Sequence, residues 1–246
     1  MSEEPRVSVV MPAFNAEAFI VEAIASVLVQ AHRPLEVIVV DDGSTDSTAA
    51  LAASFGGAVR LHRQANAGPP TARNRGLELA TGEFVTFLDA DDLFTPEMLV
   101  RQLARMRRRP DIDIVLGGMR HFEDGDPDGA SLRQEGEITL QLSCGLFRRS
   151  VFDTVGRFDP ALRQCDDWDW FMRARELRVG LLLHRDVVVH HRLHGANLTR
   201  DREAAKRYQA MMFKRSLERR RARNGVAAVL PPLSAFMEPE PSEGLK

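Results

Sequence analysis

The feature that most constrains this chain is a repeated pattern. Short β-branched runs break into polar, acid-rich clusters, and a segment with helical spacing follows each. Val37 to Val40 is the plainest instance: it is apolar on both faces, as a strand must be when helices cover a parallel sheet on both sides. It breaks into Asp41-Asp42-Gly43-Ser44, where Ser44 or Asp46 is placed to cap the next helix. Ahead of it, Val7 to Met11 ends at Pro12, and Ala16 to Ala31 sets Phe19, Ala23, Ile24, Val27 and Leu28 at helical spacing.

The pattern continues with a strand over Ala58 to His62, a helix over Thr71 to Ala80 and a strand over Glu83 to Leu88 that ends in Asp89-Ala90-Asp91-Asp92. Pro96 is read as the first position of a helix running to about Arg108, where Pro110 follows. Alternating strands and helices imply right-handed crossovers and a mostly parallel α/β sheet. Ligands of such sheets bind at the carboxyl ends of strands, where the polar clusters fall. After Ile112 to Leu116 the alternation ends. Phe122 to Glu137 reads as an exposed excursion rich in Gly and Asp. Apolar runs at Leu181 to Leu183 and Val187 to Val189 accompany a helix-bearing segment that contains Asp166-Asp167-Trp168-Asp169.

Of 246 residues, 44% are hydrophobic, enough for one sizeable core. A net charge of -2 gives no global case for nucleic acid. Two cysteines make neither a zinc site nor a disulfide framework, which points to a reducing cytoplasm. The acidic N-terminus fits no signal peptide, and no run reaches the roughly 18 apolar residues of a membrane span. We therefore expect a cytoplasmic protein. Its basic stretch after Glu203 leaves open contact with anionic lipid at the inner membrane face, docking onto the rest of the chain or a partner, or a solvated helix face. The Pro- and Glu-rich end is expected to be disordered.

Asp89 and Asp91, on a loop directly after a buried strand, offer two oxygen ligands suited to Mg²⁺ or Mn²⁺ held largely through a substrate's phosphates. An acidic turn is the bland alternative, but Asp92 is placed to cap the next helix, which leaves the other two without a structural task. Asp41 and Asp42 end a strand on the same edge and can accept a hydrogen bond from a nucleobase N–H, or simply cap a helix. Arg73 and Arg75 lie in the first turns of a helix whose N-terminus favours phosphate.

Together, VSVVMPAFNAEAFIVEAIASVLVQ, EVIVVDDGSTDST, NAGPPTARNRGLELATGEFVTFLDADD and GLFRRSVFDTVGRFDPAL resemble family 2 of the glycosyltransferases, over about Arg6 to Thr199. The resemblance implies a GT-A fold: a mostly parallel, Rossmann-like sheet flanked by helices, a smaller mixed acceptor-side region and a C-terminal helix. It divides the chain into a nucleotide-sugar-binding half (1–115), an acceptor and catalytic-base half of the same domain (116–200), and a basic helix with a disordered tail (201–246). The implied activity is inverting, metal-dependent transfer of a sugar from a nucleotide-sugar, UDP by family habit, to an acceptor hydroxyl. The acceptor would be a saccharide, a lipid-linked saccharide or another hydroxyl compound in polysaccharide or glycoconjugate synthesis.

By position in the family's motifs, Pro12, Ala13, Phe14, Asn15, Asp41 and Asp42 hold the nucleoside, with Asp42 the stronger partner of the base N–H. Arg73 assists the base or phosphates, and the Asp89-Ala90-Asp91 segment holds ribose and the metal, Mn²⁺ or Mg²⁺, chiefly through Asp91. The acidic pair that supplies the base matches Asp166 and Asp167, followed by Trp168; we take Asp167 as base, with helix capping as its alternative role. HHRLHGANLT is similar to the family's closing Arg-x-His segment, which makes Arg192 a diphosphate contact and His194 a diphosphate or metal contact. Cys144-Gly145 and Phe147-Arg148-Arg149 match the segment beneath the two sugars. Acceptor recognition falls to Gly117 to Gln141 and the neighbourhood of Trp168 and Trp170, whose rings either stack on a sugar or, as tryptophans more often do, pack in the core. Rival functions are a catalytically silent module of the same fold, a nucleotidyltransferase and a Rossmann dehydrogenase. The last two lack their Gly-rich loops, since PAFNAEAF carries neither a Lys-bearing loop nor G-x-G-x-x-G.

Overall fold

The computed structural model describes residues 4–123, 137–195, 202–224 and 229–239. In the first half β1 (Val7–Ala13), α1 (Ile20–Leu28), β2 (Leu35–Asp41), α2 (Thr48–Ala53), β3 (Arg60–Arg63), α3 (Pro69–Leu79) and β4 (Phe84–Phe87) alternate as the pattern predicts. Then come β5 (Leu93–Phe94), α4 (Met98–Arg108), β6 (Ile114–Glu123), β7 (Glu137–Ile138), β8 (Gly145–Arg148), α5 (Val151–Val155), α6 (Asp166–Glu176), β9 (Leu181–Leu193) and α7 (Arg202–Asn224). Among the described residues the strands make one nine-stranded sheet in the order β3-β2-β1-β4-β8-β6-β9-β5, with β7 beside β6. β3, β2, β1 and β4 run parallel, whereas β8 is antiparallel to both β4 and β6. The two late apolar runs are one strand, β9.

Alternation along the central strands divides the core. Val9, Met11, Val37 and Val39 pack with Ile20 and Ile24 of α1 and Leu99 and Leu103 of α4 on one face. Val10, Ile38, Val40, Val85 and Phe87 pack with Ala72, Leu77, Phe152, Trp170 and Phe171 on the other. Gly76 lets α3 approach β1, since a Cβ there would lie 2.1 Å from Val10 Cγ1. One turn earlier on the same helix is Arg73.

Three expectations are corrected. Pro96 is not the first residue of a helix: α4 starts at Met98 after Glu97, because Leu93–Phe94 first pairs with β9. Asp92 does not cap that helix. It is buried and accepts hydrogen bonds from the Arg192 backbone N–H (3.0 Å) and His191 Nδ1 (3.1 Å). Within the tail expected to be disordered, residues 231–239 include docked ones: Met237 bridges to Leu183, and Glu238 pairs with Arg105 at 2.8 Å. Part of the predicted excursion, residues 124–136, lies outside the described residues.

Candidate active site

β1 has β2 on one side and β4 on the other, so the chain winds away from β1 in both directions. This leaves a crevice at the carboxyl ends of β1 and β4, the usual ligand site of an open α/β sheet. Ala13, Phe14 and Asn15 reach it from β1, and Asp89, Ala90 and Asp91 from β4.

On the β1 side, Pro12 and Ala13 are buried in the strand, while Phe14 is 50% exposed and offers a ring face. Asn15 takes a left-handed conformation (φ 49°). Its N–H donates to Ser44 Oγ, and its Oδ1 accepts from the Thr45 N–H, both at 2.9 Å, so the loops after β1 and β2 are zipped together. Asp41 accepts from Ser44 N–H (3.2 Å) and Arg63 Nε (2.9 Å). Asp42 accepts from Gln64 Nε2 (2.8 Å) and from the backbone of Ala67 (3.0 Å) and Gly68 (2.7 Å). Neither caps α2; Asp46 Oδ1 accepts that helix's first N–H at 3.0 Å. Asp42 is buried, and three of a carboxylate's roughly four acceptor sites are engaged by the chain itself. Gly43 (φ 80°) allows this packing, because a Cβ there would meet Asn66 N at 2.8 Å.

The centre of the crevice is Arg73. Its Nη1 donates to Asp166 Oδ2 (2.7 Å) and its Nη2 to Asp89 Oδ1 (2.8 Å), tying the end of β4 to the first turn of α6. Burial disfavours the guanidinium charge, but Asp166 and Asp89 outweigh it and keep Arg73 firmly charged. Arg75 points elsewhere, to His62 (3.0 Å) and Glu78 (2.9 Å). Burial raises the Asp166 carboxyl above its ordinary range, against the pull of Arg73. Asp167, partly exposed beside it, is pushed up to about 7 by burial and by the Asp166 charge. Its Oδ1 accepts the Trp168 N–H at 2.7 Å.

Across from Arg73, Asp91 Oδ2 lies 2.9 Å from His194 Nε2. The two are hydrogen-bonded to each other, which sets a carboxylate and an imidazole, both able to ligate a divalent cation, side by side. No three His, Cys, Asp or Glu side chains converge among the described residues, so such an ion would take its other ligands from phosphate and water. Arg192 is buried, with its guanidinium over the rings of Phe19 and Phe122; Nη2 donates to Glu22 Oε2 (2.5 Å) and Nε to the Asp91 carbonyl (3.1 Å). In this arrangement it braces the Asp91 loop. Burial pushes Asp92 up to about 6 despite His191, whose own pKa is raised by the hydrogen bond to Asp92 against the effect of burial.

Glu22 and His191 carried no role in the sequence reading. The acid sign of Glu22 on α1 was visible, but its partner is remote in the chain, and the Asp92–His191 pair spans 99 residues.

The two tryptophans separate. Trp168 is 42% exposed beside Asp167. Trp170 is fully buried among Phe147, Phe152, Phe158 and Phe171, with its indole N–H donating to the Gly156 carbonyl at 2.8 Å; it cannot stack on a sugar, and the acceptor assignment is corrected. Phe147 belongs to the same cluster. Arg148 and Arg149 sit at the amino end of β4, bonded to the carbonyls of Ile112 and Gly82, because β8 runs antiparallel and only its Gly145 end faces the crevice.

The model of a family described as glycosyl transferase family 2 matches residues 8–160. The chain belongs to glycosyl transferase family 2. An uncharacterized glycosyltransferase of Rickettsia typhi is 29% identical over 212 residues, covering 79% of this chain and 66% of the relative, just under two thirds of that protein. S. aureus TarS residues 1–349, solved in complex with UDP-GlcNAc, superimposes with a TM-score of 0.67 at 25% identity over 80% of this chain and 61% of that one. The mannosyltransferase PcManGT of Pyrobaculum calidifontis, in complex with GDP-Man and Mn²⁺, gives 0.69 at 22% identity over 94% and 67%. The sheet and its helices are thus of the GT-A type. The family 2 match stops before Asp166, so the acidic pair, Arg192 and His194 lie beyond the matched residues.

Proposed function

We propose that this family 2 protein is an inverting, metal-dependent glycosyltransferase that moves a sugar from a nucleotide-sugar to an acceptor hydroxyl in polysaccharide or glycoconjugate synthesis. The observation that carries the proposal is the Asp89–Arg73–Asp166 bridge: it joins the acidic end of β4 to a helix start whose Asp167 titrates near neutrality. A carboxylate poised there suits general-base work at physiological pH.

In this reading the nucleoside lies over Phe14 and against the Asp41–Asp42 loop, and the diphosphate lies toward Asp91 and His194. Those two side chains would hold Mn²⁺ or Mg²⁺. The ion, when bound, neutralises charge on the leaving diphosphate. Asp167 takes the proton of the acceptor hydroxyl while its oxygen bonds to the anomeric carbon. The bond from that carbon to the phosphate oxygen breaks on the opposite face, and the electron pair leaves with the nucleoside diphosphate. Attack opposite the leaving group inverts the anomeric centre. TarS and PcManGT were solved with different nucleotides, so UDP rests on family habit. No helix among the described residues is long and apolar enough to cross a membrane.

Calorimetry with UDP and with GDP, each with and without Mn²⁺, tests the donor site. We expect one of them to bind in a Mn²⁺-dependent way, and Asp91→Ala to remove that dependence. Binding that ignores both Mn²⁺ and Asp91 would contradict the metal assignment.

The pH profile is a second expectation. Because Asp167 must be ionised to act, kcat/KM should rise with pH and level off above about 7, the value set by burial and the Asp166 charge. Asp166→Asn removes that neighbouring charge, so the acidic limb should move to lower pH. A limb unmoved by Asp166→Asn would assign it to another group.

A further inference from the structure

Helix α7 does not present its arginines uniformly to solvent. Met212 and Ser216 are buried on one face, and Arg219 extends from that side. Arg219 Nη1 donates to Asp169 Oδ1 (3.1 Å), while Nε and Nη2 donate to the two oxygens of Glu176 (2.9 and 3.1 Å). Ser216 Oγ adds a bond to Glu176 at 2.6 Å. Both carboxylates belong to α6, and their side chains are only 2% exposed. On the opposite side of the chain's outer face, Lys206 pairs with Glu203 and Lys214 lies 4.0 Å from Glu218. Exposed Arg207, Arg221 and Arg223 leave that surface basic overall, whereas the inner face is a fitted clamp.

We infer that Arg219 is a positioning residue for Asp167: it fixes the axial register of α6, and so the place of the base in the crevice. The inference rests on the reading of Asp167 given above. Asp169 lies two residues after Asp167, about 3 Å along the helix axis. It is also held by Arg173 Nε at 2.9 Å, and Arg173 in turn donates to the carbonyls of Val155 (2.7 Å) and Arg157 (2.8 Å). The end of α5 with the loop after it, and α7, therefore grip α6 from two sides, while its first turn meets Arg73. Apolar packing alone lets a helix slide by fractions of an ångström. A guanidinium fork shared between two buried carboxylates does not, because its geometry is planar and directional. Without Arg219, Glu176 keeps only Ser216 among its described partners, and α6 loses the fork that ties it to α7. A displacement of about 1 Å at a catalytic group costs on the order of a hundredfold in rate.

The test compares Arg219→Gln, Arg219→Lys and Arg215→Gln with wild type. Arg215 ties α7 to Asp159 without touching α6. The readouts are Mn²⁺-dependent release of nucleoside diphosphate from UDP-GlcNAc and from GDP-mannose, calorimetric affinity for UDP and GDP, and Tm. Arg219→Gln should lower kcat about 10- to 100-fold with nucleotide affinity within about twofold. Arg219→Lys should recover part of kcat, since an ammonium can hold one carboxylate but not fork across both. Arg215→Gln should lower Tm while kcat stays near wild type. A wild-type kcat in Arg219→Gln overturns the inference, as does an equal loss of kcat in Arg215→Gln. Should Arg219→Gln fail to fold, Glu176→Gln keeps the bond to Asp169 while loosening the clamp; an unchanged kcat there overturns the inference too. A wild-type protein that binds nucleotide but releases none from any donor of the UDP, GDP, dTDP and CDP series defeats the base reading itself, and the inference with it.

Discussion

Asp167→Asn is expected to lower kcat about a thousandfold while leaving nucleotide affinity within about twofold, because a positioned general base contributes ~10²- to 10⁴-fold. The substitution keeps the shape of the side chain and its contact with the Trp168 N–H, and removes only the capacity to take a proton. Its neighbours in the crevice stay in place, since Arg73 is bound by Asp166 and Asp89 rather than by Asp167. Single-turnover release of nucleoside diphosphate, measured beside calorimetric binding, separates the two effects. Full activity in Asp167→Asn would move the base to Asp166 or remove it from the acidic pair altogether.

Arg73→Met carries the second large expectation, this time on stability as well as turnover. It leaves Asp166 buried and unpaired, and breaking one partner out of a buried ion pair costs about 3–5 kcal/mol. For a chain of this size that corresponds to a fall in Tm of roughly 10 °C. The pH dependence has a definite sign. Burial already raises the Asp166 carboxyl, and Arg73 is what pulls it down. In Arg73→Met the carboxyl rises further, so the destabilisation is full above that raised value and is relieved as pH falls through it and the group takes up a proton. The double variant Arg73→Met/Asp166→Asn should regain most of the lost Tm, while turnover stays low because Asp89 and α6 are no longer joined. A Tm within 2 °C of wild type in Arg73→Met, measured at neutral pH by calorimetry (a shift of ~1 kcal/mol or less), would show that the bridge is not a buried ion pair in solution.

The first half of the fold was legible in the sequence because β1, β2 and β4 are covered on both faces and say so. Val37 to Val40 could only be an interior strand, and the acidic clusters after it and after Phe87 fell at the sheet's carboxyl edge as the parallel arrangement requires. The second half was less legible for a physical reason: β8 reverses direction. Antiparallel insertion between β4 and β6 sends Arg148 and Arg149 to the far edge, which local periodicity cannot reveal. Trp168 and Trp170 lie two positions apart on α6, about 200° around a helix. Nothing in their immediate sequence said which of them faced the core. Locally Asp92 has the place of a cap, but its partners lie on β9. Arg219 was hidden in a run of basic residues, and only the packing of α7 on α6 singles it out.

The most direct test of sugar transfer with inversion is proton NMR of the protein with Mn²⁺ and nucleotide-sugars of the UDP, GDP, dTDP and CDP series, using water as acceptor where no other is known. We predict that one series releases its nucleoside diphosphate and that the sugar first appears with the anomeric configuration opposite to the donor's, before mutarotation mixes the forms. Release with retained configuration would contradict direct displacement assisted by Asp167, and no release from any series would leave the crevice as that of a silent binding module.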